Sequence, residues 1–234
     1  MSADRRAEIA AGLSLVRERI AAAAQEAGRR EDEVTLIVVS KKFPATDIDL
    51  LAELGVSDIG ENKEQELSAK LPDVAARDRL TVHFIGQLQS NKARAVAQHV
   101  DVVQSVDRVK LLGALDRGRA EVGRPLDVLL QVSLDDDAPG RGGAAPDTLP
   151  GLVDAVTVHE WLRLRGVMGV APRGGDPDAA FARLREVSHG IRKDHPEATW
   201  ISAGMSGDLE SAVRHGATHL RVGTAILGSR LSLG

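Results

Sequence analysis

The chain has 234 residues, 43% of them hydrophobic and 27% charged, and a formal net charge of −4 at pH 7. This balance describes a globular protein with no general electrostatic draw toward nucleic acid or an anionic membrane. The chain contains no cysteine, which excludes disulfides, thiolate metal sites and thiol nucleophiles, and no tyrosine, so no phenol can act as acid or base. The charged, alanine-rich start lacks an apolar secretion segment, and no run approaches the ~18 apolar residues of a membrane span. The expected location is cytoplasmic.

Ile9, Leu13, Val16 and Ile20 recur at helical spacing within residues 5–28, which predicts a leading helix stopped by Gly28. Short β-branched or apolar runs follow at 35–40, 57–60, 81–86, 101–106, 127–133, 162–170, 199–203 and 219–223. Helical patterns lie between them, among them 47–54, 107–122 and 177–193. Alternating strands and helices predict a parallel sheet, because parallel strands need crossover connections. Eight such units in a chain of this length predict an α/β fold, a closed (β/α)8 TIM barrel. The competing topology is an open doubly wound sheet, reached if 57–60 and 199–203 are not strands. No linker divides the chain, so one domain over 1–234 is expected, with the leading helix in 1–30 and the barrel in 34–230. The Asp-, Pro- and Gly-rich stretch 135–143 reads either as a mobile lid at the strand-end rim or as a surface insertion.

In a barrel of this kind the functional loops follow the C-terminal ends of the strands. Lys41 follows the apolar run 36–40 and precedes a Pro44 turn. By position it is either a solvated loop charge or a reactive amine able to form a Schiff base with a carbonyl compound. Desolvation beside two cations, Lys42 and Arg221, is the expected means of keeping the amine nucleophilic. After the seventh strand comes Ala203-Gly204-Met205-Ser206-Gly207-Asp208, and after the eighth Val222-Gly223-Thr224-Ala225. Loops seven and eight are where such barrels bind phosphate. Glycines admit close approach of an anion, and hydroxyls and backbone N–H groups donate to it. Ser206 is readable as a helix N-cap or a phosphate donor, and Gly223 and Thr224 as backbone donors or a plain turn. Arg221, within the eighth strand, is a structural ion-pair partner or a ligand contact. Asn62 is a rim amide or a helix cap, and His83 reads as a satisfied core histidine.

These segments, taken in order, resemble the YggS/PROSC family of pyridoxal-phosphate-binding homeostasis proteins. The resemblance runs from about the first strand nearly to the C-terminus. It rests on Val39-Ser40-Lys41 with Pro44, Gly60-Glu61-Asn62, the run from His83 to Lys92, Gly204-Met205-Ser206-Gly207-Asp208, and the run from Arg221 to Gly228. It implies a barrel similar to the N-terminal domain of alanine racemase, monomeric or weakly dimeric. By that resemblance Lys41 holds pyridoxal 5′-phosphate (PLP) as an internal aldimine, and Ser206, Gly223 and Thr224 hold its phosphate. Arg221 matches the arginine beside the pyridine nitrogen, and Asn62 the rim amide near the ring. The chain departs from the pattern at Lys42-Phe43, Lys63 and Arg141, which bears on rim contacts and on any secondary cofactor contact.

The resemblance implies a non-enzymatic role in PLP homeostasis, meaning storage, delivery or limitation of the free cofactor, with PLP-dependent apo-enzymes as candidate partners. No metal, nucleic acid or membrane partner is expected. Two alternatives stand beside it: a weak PLP-dependent amino-acid racemase using Lys41 alone or with His83, and a cofactor-free Schiff-base aldolase.

Overall fold

Eight short strands pair in parallel in chain order, and the eighth returns to the first. A computed structural model describes residues 2–135 and 142–228 of the chain. The strands are β1 (Thr35–Val39), β2 (Asp58–Glu61), β3 (Thr81–Phe84), β4 (Val102–Val106), β5 (Leu126–Gln131), β6 (Leu162–Met168), β7 (Trp200–Ser202) and β8 (His219–Val222). The closing pair runs in register from Thr35 opposite His219 to Val38 opposite Val222. That pairing excludes the open sheet, since an open sheet leaves its edge strands unpaired. The two strands on which the alternative turned are β2 and β7, both paired on each side. Every predicted strand is present, with ends displaced by one or two residues.

The helices form the outer ring: α1 (Ser2–Glu26), α2 (Ala45–Glu53), α3 (Glu64–Lys70), α4 (Ala93–His99), α5 (Leu112–Ala120), α6 (Leu149–Thr157), α7 (Pro177–Arg192), α8 (Leu209–Arg214) and α9 (Thr224–Leu227). The predicted helix over 107–122 is instead a 3-10 turn, Val109–Leu111, running into α5. Helix α7 starts where Asp176 accepts the Asp178 N–H and Pro177 supplies the preset φ of a first helical residue. Helix α1 buries Ile9, Leu13, Val16 and Ile20, as their spacing predicts, and packs on α8 and α9. Of the stretch 135–143, residues 136–141 lie outside the described residues, and with them the lid expectation and Arg141. No helix among the described residues is long and apolar enough to cross a membrane.

The main apolar core lies between the strands and the helix ring. Strand β4 is buried at all five positions, as expected of a parallel strand covered on both faces. Inside the barrel the filling is mixed. Val102, Leu129 and Met168, with Val170 and Trp200, form a small separate cluster. Beside it sit buried polar side chains: His83, Gln104, Ser202, His219 and Arg221. His219 packs against the Trp200 ring, with centroids 4.4 Å apart. Burial, reinforced by nearby His83, lowers its pKa to about 3.

This burial makes stability depend on pH. In the unfolded chain His219 takes up a proton below about pH 6.5, whereas in the folded barrel it does so only near 3. The unfolded state therefore binds more protons in that window, and His219 costs stability progressively as pH falls through it. The slope is about 1.4 kcal/mol per pH unit at its steepest. Urea unfolding of the His219→Asn variant is expected to lack that part of the acid-side loss. A variant with the wild-type slope would contradict the assignment.

Candidate functional site

The loop that follows β1 is built to present one side chain. Ser40 N–H donates to Gly60 O at 3.0 Å, and Phe43 N–H returns to Ser40 O at 3.1 Å. Lys42, between them, has φ +67°, a left-handed conformation that costs a non-glycine residue about 1 kcal/mol or more. Contacts from β2 and α3 hold it there. The Lys42 backbone N–H donates to the Glu66 carboxylate. Lys70 Nζ donates to Ser40 O at 2.9 Å, Glu61 Oε1 at 2.8 Å and Glu66 Oε1 at 3.0 Å. Ser40 Oγ donates to Glu61 Oε1 at 2.7 Å. Glu61 is fully buried, and burial raises its pKa against the opposing pull of Lys70. The turn so pinned leaves Lys41 exposed at the barrel mouth. The sequence reading expected Lys41 to be desolvated, whereas the described residues do not bury it.

Asn62 follows β2 and is half-buried, with Oδ1 enclosed and lacking a hydrogen-bond partner. Its backbone lies directly on Gly86, where a Cβ would come within 2.0 Å of Asn62 O. Any side chain at 86 would push Asn62 out of place.

The loop after β7 is fixed from both ends. Arg221 N–H donates to Gly204 O at 3.0 Å, and Met205 N–H donates to Asp208 Oδ1 at 2.6 Å. Helix α1 reaches across: Arg19 donates to Ser206 O at 3.0 Å while paired with Glu210. Ser206 does not cap α8, as one sequence reading had it; the cap position is Asp208. Ser206 is thereby left with its hydroxyl uncommitted to the helix. After β8, Gly223 lies against β1, where a Cβ would stand 3.0 Å from Val39 O, and Thr224 opens α9. Arg5 of α1 holds the far end of α9 through Leu227 O at 3.0 Å, and binds Asp47 of α2 at 2.7 Å.

These pieces surround a cavity of about 640 Å³ at the C-terminal mouth. Its lining brings together all six residues singled out from the sequence: Lys41, Asn62, Ser206, Arg221, Gly223 and Thr224. Lys42, Phe43 and Met205 sit at the rim, and Val39, Ile85 and Val170 add apolar wall. Among the described residues the lining has three cations, Lys41, Lys42 and Arg221, and no carboxylate. The cavity is thus positive within a chain of net charge −4, which suits an anionic ligand.

Arg221 enters the cavity from the barrel interior. It is 5% exposed, and burial lowers its pKa to about 10. Its Nη1 donates to Ser202 Oγ at 2.6 Å and its Nη2 to Gly169 O at 2.9 Å. Of the two sequence readings, the ion-pair partner is not found; Arg221 makes no ion pair among the described residues. His83 is fully buried between Asp58 and Gln104, the satisfied core histidine expected, and does not line the cavity. No cluster of His, Asp or Glu that could hold a metal occurs among the described residues. Sequence reading missed the pinning cluster of Glu61, Glu66 and Lys70. The available signal was Lys70 four residues after Glu66 on α3, a spacing that places both on one helix face.

The alanine racemase N-terminal domain family matches residues 13–231. A pyridoxal phosphate homeostasis protein of Mycobacterium leprae is 42% identical over 252 aligned residues, spanning 99% of this chain and 96% of that protein. PipY of Synechococcus elongatus, solved with PLP bound, superimposes with a TM-score of 0.79 at 36% identity, covering 94% of this chain and 100% of that one. An alanine racemase from Corynebacterium glutamicum shares the fold with a TM-score of 0.70 at 16% identity, covering 98% of this chain but 62% of that one.

The pinning cluster has a measurable energy. Lys70→Met leaves the Glu61 carboxylate buried without its cation, which is expected to cost about 3 kcal/mol in urea unfolding. Adding Glu61→Gln removes the stranded charge and should recover at least half of that loss. A single-variant loss near zero would show that Lys70 does not compensate Glu61.

Proposed function

We propose that this chain, which belongs to the alanine racemase N-terminal domain family and to the pyridoxal phosphate homeostasis proteins within it, binds PLP covalently through Lys41 and acts as a carrier of that cofactor. The observation that carries the reading is the cavity itself. Its cations stand, among the described residues, without a carboxylate beside two loops of glycine and hydroxyl residues, with a lysine amine at the rim. Those residues fit PLP, which has a phosphate, an aldehyde, and a flat ring with polar substituents. Ser206, Thr224 and the backbone around Gly207 and Gly223 are the phosphate side, and small residues there admit close approach. Asn62, whose buried Oδ1 lacks a partner, can bond a ring substituent.

PLP supplies an aldehyde for imine formation and a ring that can take up electrons. Lys41 would be the residue that holds it covalently, its neutral amine supplying the nucleophile for that aldehyde, with water as the leaving group. Arg221 would face the ring nitrogen as a donor only, so it would disfavour a proton on that nitrogen and weaken the ring as an electron sink. A catalyst built on such a ring needs another acid or base. The chain has no tyrosine, and no carboxylate or histidine among the described residues lines the cavity. The same lack weighs against a cofactor-free aldolase. Both nitrogens of His83 are committed to Asp58 and Gln104, which weighs against the racemase reading. A tether without a proton-transfer partner suits storage, delivery or limitation of free PLP in the cytoplasm, with PLP-dependent apo-enzymes as the class of recipient.

Absorption spectroscopy tests this directly. Protein incubated with PLP should develop an imine band that borohydride fixes and peptide mapping places on Lys41. Lys41→Ala should lose the band yet unfold within about 0.5 kcal/mol of wild type, because an exposed lysine contributes little packing. A folded variant retaining the full band would move the attachment elsewhere. Arg221→Glu should favour the protonated ring nitrogen and shift the band, and an unshifted band would mean that Arg221 does not face the ring.

A further inference from the structure

Behind Arg221 a single file of hydrogen bonds crosses the whole barrel. Arg221 Nη1 donates to Ser202 Oγ at 2.6 Å, Ser202 Oγ to Gln104 Oε1 at 2.7 Å, and Gln104 Nε2 meets His83 Nδ1 at 3.0 Å. His83 Nε2 then meets Asp58 Oδ1 at 2.9 Å. Ser57 Oγ closes the file on Asp58 Oδ2 at 2.6 Å. Ser202, Gln104 and His83 are all buried, whereas Asp58 lines the opposite, N-terminal mouth. The link from Gln104 to Ser202 spans the interior from β4 to β7.

The direction of every bond follows from the two ends. A guanidinium can only donate, so Ser202 Oγ accepts from Arg221 and spends its own proton on Gln104 Oε1. That orients the Gln104 amide, whose Nε2 must donate to His83 Nδ1. His83 therefore carries its proton on Nε2 and donates to Asp58, an acceptor when ionised. Burial opposes the Asp58 charge, but the bonds from His83 and Ser57 outweigh it and hold its pKa below the ordinary value. The file thus has a cation at one end, a carboxylate at the other, and dipoles aligned between them, an arrangement in which each bond polarises the next. It also offsets the cost of burying a guanidinium that has no ion-pair partner among the described residues.

We propose that Ser202, Gln104, His83 and Asp58 form a positioning relay for Arg221. They hold its guanidinium in one orientation at the cavity and bring the Asp58 charge to bear on it, so that a change at the N-terminal mouth alters ligand binding at the C-terminal mouth. The proposal rests on the reading that the cavity holds PLP with Arg221 facing the ring nitrogen. None of the four residues lines the cavity. Their effect on the ligand passes through Arg221 alone.

The test uses Gln104→Met, which breaks the file at similar volume, the pair Ser202→Ala and Ser202→Thr, and Asp58→Asn at the remote mouth. Gln104→Met and Ser202→Ala should raise the PLP dissociation constant about tenfold, the size of effect that loss of an outer-shell partner has at metal sites. They should also move the imine absorption band toward that of Arg221→Lys, while Ser202→Thr keeps wild-type behaviour. Asp58→Asn should produce a smaller shift in the same direction. In protein without PLP, the same variants should speed hydrogen exchange of the Arg221 guanidinium at least several-fold by NMR. Folded variants with wild-type spectra, affinity and exchange would overturn the relay, whatever their melting temperature. If Gln104→Met does not fold, Asp58→Asn decides by the same criteria. A wild-type protein that forms no imine defeats the PLP reading instead, and the exchange measurement then decides the relay alone.

Discussion

The arrangement of this protein turns on a guanidinium inside a barrel. Arg221 is placed on β8 among side chains that in most parallel barrels would be apolar, and a buried charge is tolerated only when its donors are met. Two of them go to Ser202 and to the Gly169 carbonyl, and the remaining face of the group belongs to the cavity. Burial weakens its hold on the proton, yet a pKa of about 10 leaves it charged near neutrality. The polar interior behind it follows from that need. The apolar cluster of Val102, Leu129 and Met168 fills one side of the barrel, and the other is given over to hydrogen bonding.

The outer elements serve the same mouth. Helix α1 stands outside the alternating pattern, and its arginines explain its place. Arg19 holds the β7–α8 loop by Ser206 O, and Arg5 holds the end of α9 by Leu227 O. The two loops that would receive a phosphate are thus clamped to one helix, whose apolar face is buried against α8 and α9. On the opposite side, the cluster of Lys70, Glu61 and Glu66 holds Lys42 in its left-handed turn. Lysine and anion loops are separately braced, so the cavity between them is largely formed before a ligand arrives. Such preorganisation lowers the ordering cost of binding.

The chemistry available at this mouth is narrow. A lysine can make a covalent link, and cations and hydroxyls can hold an anion, but among the described residues no carboxylate or histidine stands beside them to move a proton. The related racemase fold extends well beyond the part shared with this chain. The proposed role as a cofactor holder rests on that narrowness.

Much of this was legible in the sequence. The β-branched runs and their helix-length spacing implied the barrel, because period and length follow from backbone geometry alone. Lys41, Asn62, Ser206, Arg221, Gly223 and Thr224 could be singled out because the ends of parallel strands must converge on one rim. The exposure of Lys41 was not legible, and neither was the placing of Asp208, not Ser206, at the N-cap position, since both depend on how loops settle on their neighbours. The file from Arg221 to Asp58 was least visible of all. Gln104 and Ser202 are 98 positions apart and belong to strands β4 and β7, which are not neighbours in the sheet. Local pattern determined which residues reach the rim. Only closure of the sheet decided which of them share a buried proton-ordered path, because only closure brings strands four and seven within a hydrogen bond.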